Sequence, residues 1–131
     1  MRWISLAALL ALGCSSPAEP GGDPAVRVEA SAVRLNPVVG IVTATLSNQT
    51  AEDLMLKVRC AAIELDQADG ETWIRIQDLR LCVGPSLLRL PARTTLTVTD
   101  QLGLAAGRYR AVIETDDGRL SYSEGFIVPA Q

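Results

Sequence analysis

The segment that decides the fold is residues 38–47, which read VVGIVTATLS. Side chains of an extended chain alternate between two faces, so every second residue of this segment shares a side. The two faces hold Gly40, Val42, Ala44 and Leu46, and Ile41, Thr43, Thr45 and Ser47. The first face is apolar, whereas the second is β-branched and carries hydroxyl groups. This pattern predicts a β-strand that buries one face.

The same period of two recurs on both sides of this segment. It predicts further strands at residues 26–31, 54–60 with a continuation to 65 after a bulge, 72–76, 94–99, 108–115 and 120–128. The turn and bulge signals are Asn36-Pro37, Asp69-Gly70, Asp116-Asp117-Gly118 and Glu124-Gly125. Residues 79–90 are less regular and predict a loop that crosses between sheets. Since no stretch has a helical period, the sequence predicts an all-β domain, an antiparallel β-sandwich of about seven strands.

Composition limits the chemistry that this chain can carry out. The chain has 131 residues, of which 48% are hydrophobic and 4% are aromatic, enough for one core built mainly from aliphatic side chains. Histidine is absent, which removes the usual general base near neutral pH and the commonest metal ligand. The formal net charge is −3, so we expect no attraction to nucleic acid. We also expect no catalytic residue, metal or cofactor.

The N-terminus has the order of a bacterial export signal. Arg2 precedes an apolar run over residues 3–12, which is too short to span a bilayer. The next residues, Gly13-Cys14, complete a segment that resembles the lipobox of bacterial lipoproteins. That resemblance implies cleavage before Cys14 and a lipid on its thiol. The alternative is an ordinary signal peptide that is cut further along the chain, near Ala18 or Ala25.

The lipobox divides the chain into three parts. These are a signal peptide over residues 1–13, a lipidated Cys14 with a flexible tether over residues 14–25, and a domain over residues 26–131. Three prolines and two glycines in residues 15–24 exclude regular structure in the tether. Loss of Arg2 with the leader changes the net charge from −3 to −4. By resemblance, Ser15 after the anchor favours the outer membrane of the cell envelope.

Two cysteines, Cys60 and Cys82, are left once Cys14 carries the lipid. Exported proteins fold in an oxidising compartment, so this even number suggests a disulfide. The alternative is a pair of buried free thiols. Two cysteines are too few for a structural zinc site, which takes four ligands.

Several short motifs of the domain, in their order, resemble small immunoglobulin-like domains of bacterial lipoproteins. They are residues 45–50 (TLSNQT), Cys60, residues 69–73 (DGETW), Cys82, residues 90–92 (LPA) and residues 106–110 (AGRYR). Ala106 stands where that family usually has proline. The resemblance covers roughly residues 26–128 and implies an immunoglobulin-like β-sandwich. It implies no biochemical activity, so no functional residues follow from it.

Two acidic groups lie beside predicted hairpin turns. Asp66, Asp69 and Glu71 could ligate calcium, but their spacing does not match an EF-hand loop, and turn chemistry explains Asp69-Gly70. Asp116 and Asp117 could form a paired acid–base site, although the turn at Gly118 accounts for them equally well. Both groups are more typical of turns than of sites.

A basic group is the remaining polar candidate. Arg108, Arg110 and Arg119 are expected on the outer face of a hairpin, where they could bind an acidic partner. The alternative is a solvated face without a ligand. Trp73 is more typical of a half-buried residue than of a ligand platform.

Three hydroxyl side chains are expected to be structural. Tyr109 follows Gly107 at the start of a late strand. This position predicts either a tyrosine-corner hydrogen bond or packing in the core. Ser121 and Ser123 have no visible base nearby in the sequence, so they are poor nucleophile candidates.

These patterns favour a membrane-anchored envelope lipoprotein with a non-enzymatic immunoglobulin-like domain, which serves as a protein-interaction or structural module. Its expected partners are the membrane, through the lipid, and another envelope protein. The alternative is an exported protease inhibitor of the β-sandwich type. Such an inhibitor would present a loop such as residues 84–89 to a protease.

We expect Cys82→Ser to lower the free energy of unfolding by about 3 kcal/mol, because a disulfide to Cys60 restricts the unfolded chain. Urea unfolding of the processed chain, with and without reductant, measures this loss. Reductant should shift the unmutated protein and leave the variant unchanged. Two titratable thiols in the untreated protein would contradict the disulfide.

Overall fold

The computed structural model describes residues 25–59, 63–76 and 86–130. These ranges contain no helix, and therefore none long and apolar enough to cross a membrane. Their ten strands are β1 Val26–Arg34, β2 Val39–Asn48, β3 Leu54–Val58, β4 Glu64–Asp69, β5 Thr72–Arg75, β6 Ser86–Leu90, β7 Thr95–Gly103, β8 Gly107–Glu114, β9 Leu120–Tyr122 and β10 Phe126–Val128. Cys14, Cys60 and Cys82 lie outside the described residues, so the lipid anchor and the disulfide stay predictions.

All the strand pairs are antiparallel, which confirms the all-β prediction. Sheet 1 has the order β1-β2-β7. Sheet 2 has the order β5-β4-β8, and the outer edge of β8 pairs first with β10 and then with β9. A two-stranded ribbon, β3-β6, meets the end of β8 through one bridge between Leu56 and Thr115.

The inner faces of the two sheets and the ribbon share one core. Strand β2 shows how the sequence produces it, because its buried positions are the apolar face predicted above. The cluster consists of Val26, Val28, Val42, Ala44, Leu46, Leu56, Ile63, Leu65, Leu90, Leu104, Tyr109, Ala111, Ile113 and Val128. Strand β1, an edge strand of sheet 1, packs against β8, β9 and β10 of sheet 2. Each fully buried aliphatic side chain contributes about 1.5–3 kcal/mol relative to exposure.

A bulge divides the last edge of sheet 2 into β9 and β10, as Glu124-Gly125 predicted. At the break the Ser123 hydroxyl accepts a hydrogen bond from the Ala111 N–H at 2.8 Å and donates one to the Glu124 carbonyl. The Ser123 N–H still donates to the Ala111 carbonyl at 3.0 Å. The Ser123 side chain thus replaces a missing backbone hydrogen bond of the sheet. This structural role explains why a serine occupies a buried position.

Tyr109 forms the predicted tyrosine corner. Its hydroxyl donates to the Ala105 carbonyl, 2.7 Å away in the connection that leads into β8. The ring is buried and stacks on Phe126 with the ring centres 6.2 Å apart. Burial raises the pKa of Tyr109 above its ordinary value. The bond fixes the path of the chain from sheet 1 to sheet 2.

Two strand predictions were incomplete. Residues 86–90 form β6, which pairs with β3, rather than part of a loop. Leu88 and Leu90 turn toward the core, whereas Leu87 is exposed. The exposed Leu87 concealed this alternation in an apolar run. Strand β7 continues to Gly103, beyond Thr99, because pairing with β2 holds the polar residues in the sheet. Because β6 is added and the predicted strands 54–65 and 120–128 are each divided in two, the described residues contain ten strands rather than the expected seven or so.

The Asn48 side chain links two connections, β2–β3 and β6–β7, at the end of the domain where the chain enters β1. Its amide nitrogen donates to the carbonyls of Glu52, Leu90 and Pro91 at 2.7, 2.9 and 3.2 Å. Its side-chain oxygen accepts the N–H and the hydroxyl of Thr50. The side chain is buried, so these groups have no access to water as an alternative partner.

We expect Asn48→Asp to lower the free energy of unfolding by about 2–3 kcal/mol, because buried carbonyls lose their donor and face a negative charge. Chemical unfolding followed by circular dichroism measures the loss. The matched control is Gln49→Ala, since the Gln49 side chain is exposed. Equal stability of Asn48→Asp and the unmutated protein would show that the Asn48 bonds are not needed.

Candidate interaction face

The outer face of sheet 2 gathers most of the charged side chains that the structure brings together. Strands β4 and β8 pair so that Asp66 faces Arg110, while Leu65 and Ala111 turn to the core. The period of two therefore places apolar side chains inside and charged side chains outside on the same strands.

Seven of these side chains form one continuous series of opposite charges, which we name the charge ladder. In spatial order they are Lys57, Glu114, Arg59, Glu64, Arg75, Asp66 and Arg110. Each carboxylate lies between two cations, and a cation stands at each end. The ladder thus has four cations and three carboxylates, whereas the whole chain has a net charge of −3.

Asp66 is the most deeply buried member of the ladder, with only 4% of its surface exposed. One carboxylate oxygen accepts from Arg75 Nε at 2.6 Å, and the other accepts from Arg110 Nε at 2.9 Å. Burial by itself lowers the pKa of Arg75, but the hydrogen bond and charge of Asp66, with Glu64, outweigh it and raise that pKa. Charge-assisted bonds of this kind fix both guanidinium planes.

Aromatic rings hold the Arg110 end of the ladder. The Arg110 guanidinium carbon lies 3.8 Å from the centre of the Tyr122 ring and 4.6 Å from that of Trp73. Arg108 also approaches Trp73, at 5.7 Å. The indole Nε1 of Trp73 is buried and has no hydrogen-bond partner among the described residues. These distances are those of cation–π contacts, so Arg110 is held by two rings and a carboxylate.

The opposite end of the ladder is loosely bound. Arg59 lies 3.7 Å from Glu64 and 3.8 Å from Glu114, which is longer than a hydrogen bond. Its side chain is 61% exposed, whereas that of Arg110 is 12% exposed. Lys57 is 3.4 Å from Glu114. The ladder therefore has a rigid end at Arg110 and an open end formed by Lys57 and Arg59.

Arg119 does not join this face, although the sequence grouped it with Arg108 and Arg110. It lies in the β8–β9 turn, where its Nε donates to Asp117 at 2.9 Å. Hydrogen bonds from Thr115 and Arg119 lower the pKa of Asp117. A general acid needs the opposite shift to keep its proton near pH 7, so the contacts of Asp117 are those of a turn.

The other acidic candidates are also explained by their contacts. Both carboxylate oxygens of Asp66 are engaged by arginines, so Asp66 does not join Asp69 and Glu71 in a calcium site. Asp69 and Glu71 are exposed at the β4–β5 turn, where Gly70 has a φ of 60°. Within residues 25–59, 63–76 and 86–130, no group of His, Cys, Asp and Glu could hold a metal ion.

The segment proposed as an inhibitor loop is partly a strand. Residues 84 and 85 lie outside the described residues, whereas Ser86 begins β6, which pairs with β3. Arg89 binds Asp53, and this contact joins β6 to the turn before β3. That half of the segment is therefore held by the fold.

Sequence reasoning missed most of the ladder. It placed Arg108 and Arg110 on an outer face, but it did not connect them with Arg75 or Arg59. The available signal was a charged residue at every second position of the predicted strands, since oppositely charged residues on neighbouring strands stabilise their pairing. The pairing of β4 with β8, which are distant in sequence, was not readable from that signal.

No protein-family model and no curated protein sequence matches this chain. The X-ray structure of the Northeast Structural Genomics Consortium target SoR45 is similar, with 17% identity, a TM-score of 0.51, and coverage of 84% of this chain and 90% of that chain. A Bordetella pertussis target of the same consortium, provisionally named ApaA, has 17% identity, a TM-score of 0.47, and coverage of 80% and 91%. At these identities, the likeness to SoR45 concerns the fold alone.

We expect Asp66→Asn to lower the free energy of unfolding by about 2–3 kcal/mol, because it leaves two adjacent guanidinium groups without their shared anion. The loss is smaller than for a fully buried pair because Arg75 is 39% exposed and retains Glu64. Denaturant titration measures it. Asp69→Asn is the matched control, because the exposed Asn-Gly sequence suits the same turn. Equal midpoints for the two variants would contradict a structural role for Asp66.

Proposed function

We propose that this chain is an outer-membrane lipoprotein anchored through Cys14, whose non-enzymatic immunoglobulin-like domain binds another envelope protein. The observation that carries the proposal is the charge ladder, which runs from the end of β3 across the outer face of sheet 2. It presents cations, carboxylates and aromatic rings on a regular sheet, and arginine, tryptophan and tyrosine are the residues enriched at the energetic centres of protein interfaces.

Two features of the fold support the immunoglobulin-like part of the proposal. The order β1-β2-β7 against β5-β4-β8-β9/β10 matches a sandwich in which early strands and one late strand form one sheet. The tyrosine corner at Tyr109 lies where the chain enters the central strand of the second sheet, as in that fold.

The contacts of the polar candidates support the non-enzymatic part. Ser123 is committed to backbone bonds at the bulge, and Asp117 is committed to Thr115 and Arg119. Neither side chain is placed as an activated nucleophile or a general base. The charged groups of the ladder are paired with one another, as is usual on a binding surface rather than at a catalytic centre.

We expect Cys14→Ser to prevent lipidation and release the chain from membranes, because the thiol is the only attachment site for the diacylglycerol. Fractionation of a producing bacterium, followed by mass spectrometry of the N-terminus, tests this directly. The unmutated chain should begin at Cys14, carry acyl chains and sediment with outer membranes.

A Ser15→Ala variant controls for the substitution itself, since it changes the neighbouring residue and keeps the thiol. An unmutated chain that keeps residues 1–13 and carries no lipid would overturn the proposed anchoring. A processed, lipid-free chain cut near Ala25 would instead identify an ordinary signal peptide.

A further inference from the structure

We propose that the open end of the charge ladder, Lys57 and Arg59, is the point at which a carboxylate-rich polypeptide segment of another protein docks. The inference rests on the proposed function and names the chemistry of its partner. The remaining members of the ladder hold this end in place rather than contact the partner first.

The two ends of the ladder differ in how fully their cations are used. Arg75 and Arg110 donate to carboxylates at distances of 2.6 to 2.9 Å. Arg59 has no comparably short contact with either of its carboxylates, which lie 3.7 and 3.8 Å away. An arginine has five N–H donors in a planar fork, so Arg59 retains the capacity to bind a further carboxylate through two parallel bonds.

Neighbouring charges favour an anionic partner at this point. Glu114 is shared between Lys57 and Arg59, and Glu64 is shared between Arg59 and Arg75. Because every carboxylate serves two cations, positive charge is in excess along the ladder. A partner carboxylate beside Lys57, the terminal cation, would continue the alternation of charges, and Arg59 is near enough to share it because both cations contact Glu114.

The same carboxylates favour a polypeptide over a phosphate polymer or an anionic lipid surface. Glu64 and Glu114 flank Arg59 and would repel a dense array of phosphates. Any polypeptide, oligoglutamate included, can place a carboxylate on Arg59 and offer backbone N–H donors to Glu64 and Glu114, which a phosphate polymer lacks.

The test uses the processed full chain in detergent, with a short fluorescent oligoglutamate peptide as the probe. Fluorescence anisotropy should detect binding at low salt that weakens as salt is added, because the contacts are exposed. Arg59→Gln should weaken binding about fivefold, the effect of losing one exposed ion pair. A double variant that adds Lys57→Gln should weaken it further, and neither variant should move the unfolding midpoint.

Arg27→Gln is the matched control. Arg27 is 63% exposed, close to the value for Arg59, and it pairs with one carboxylate, Glu29, at 3.0 Å on sheet 1. Arg27→Gln should leave peptide binding unchanged. An equal loss from Arg27→Gln and Arg59→Gln would overturn the proposal, because it would mean that any surface cation serves.

Two further probes, inorganic polyphosphate and vesicles of anionic phospholipid, separate the possible occupants. Stronger dependence on Arg59 with either probe than with the peptide would overturn the choice of a polypeptide. Absence of peptide binding by a chain that is lipidated and envelope-located would overturn this inference and leave the proposed anchoring standing. A chain that is not exported would overturn the proposed function, whatever the peptide does.

Discussion

The register between β4 and β8 is the constraint on which the rest of the molecule depends. One pairing places Leu65 and Ala111 in the core and, on the reverse face, sets Asp66 opposite Arg110. A slip of one residue would bury the charges and expose the apolar side chains. The core therefore selects the register, and the register assembles the ladder. The arrangement of charges on the outer face thus follows from the burial of apolar side chains on the inner face.

The energetics of Asp66 indicate what the ladder contributes. Removing a carboxylate from water costs several kcal/mol, and attraction to its partners often only offsets that cost, so apolar residues at such a site can be equally stabilising. Apolar residues would not, however, fix the orientation of a charged group. Arg110, bounded by Asp66, Tyr122 and Trp73, has a fixed guanidinium plane. The ladder is therefore better understood as a means of positioning charges than as a source of stability.

The sequence predicted features that depend on neighbours along the chain and missed those that depend on distant pairing. The alternation in β2, both hairpin turns, the Glu124-Gly125 bulge and the Tyr109 bond were all readable, because each is local. Strand β6 was missed because exposed Leu87 disguised its period. Of the ladder, the sequence placed only Arg110 on an outer face, since the other members come from β3 and the residue after it, from β4 and β5, and from the far end of β8. Cys14, Cys60 and Cys82 remain predictions from the sequence.

The mixed charge of the ladder also decides what kind of recognition it can support. At physiological salt the Debye length is about 8 Å, so acidic groups on distant parts of the domain barely weaken the field at Arg59. The excess positive charge is small, which limits its pull on a partner that is still far away. Its effect begins when the partner is in contact, where each carboxylate must meet a cation. Such a face determines the orientation in which a partner binds more than the rate at which the two proteins meet. In every other alignment, like charges of the two proteins would face each other.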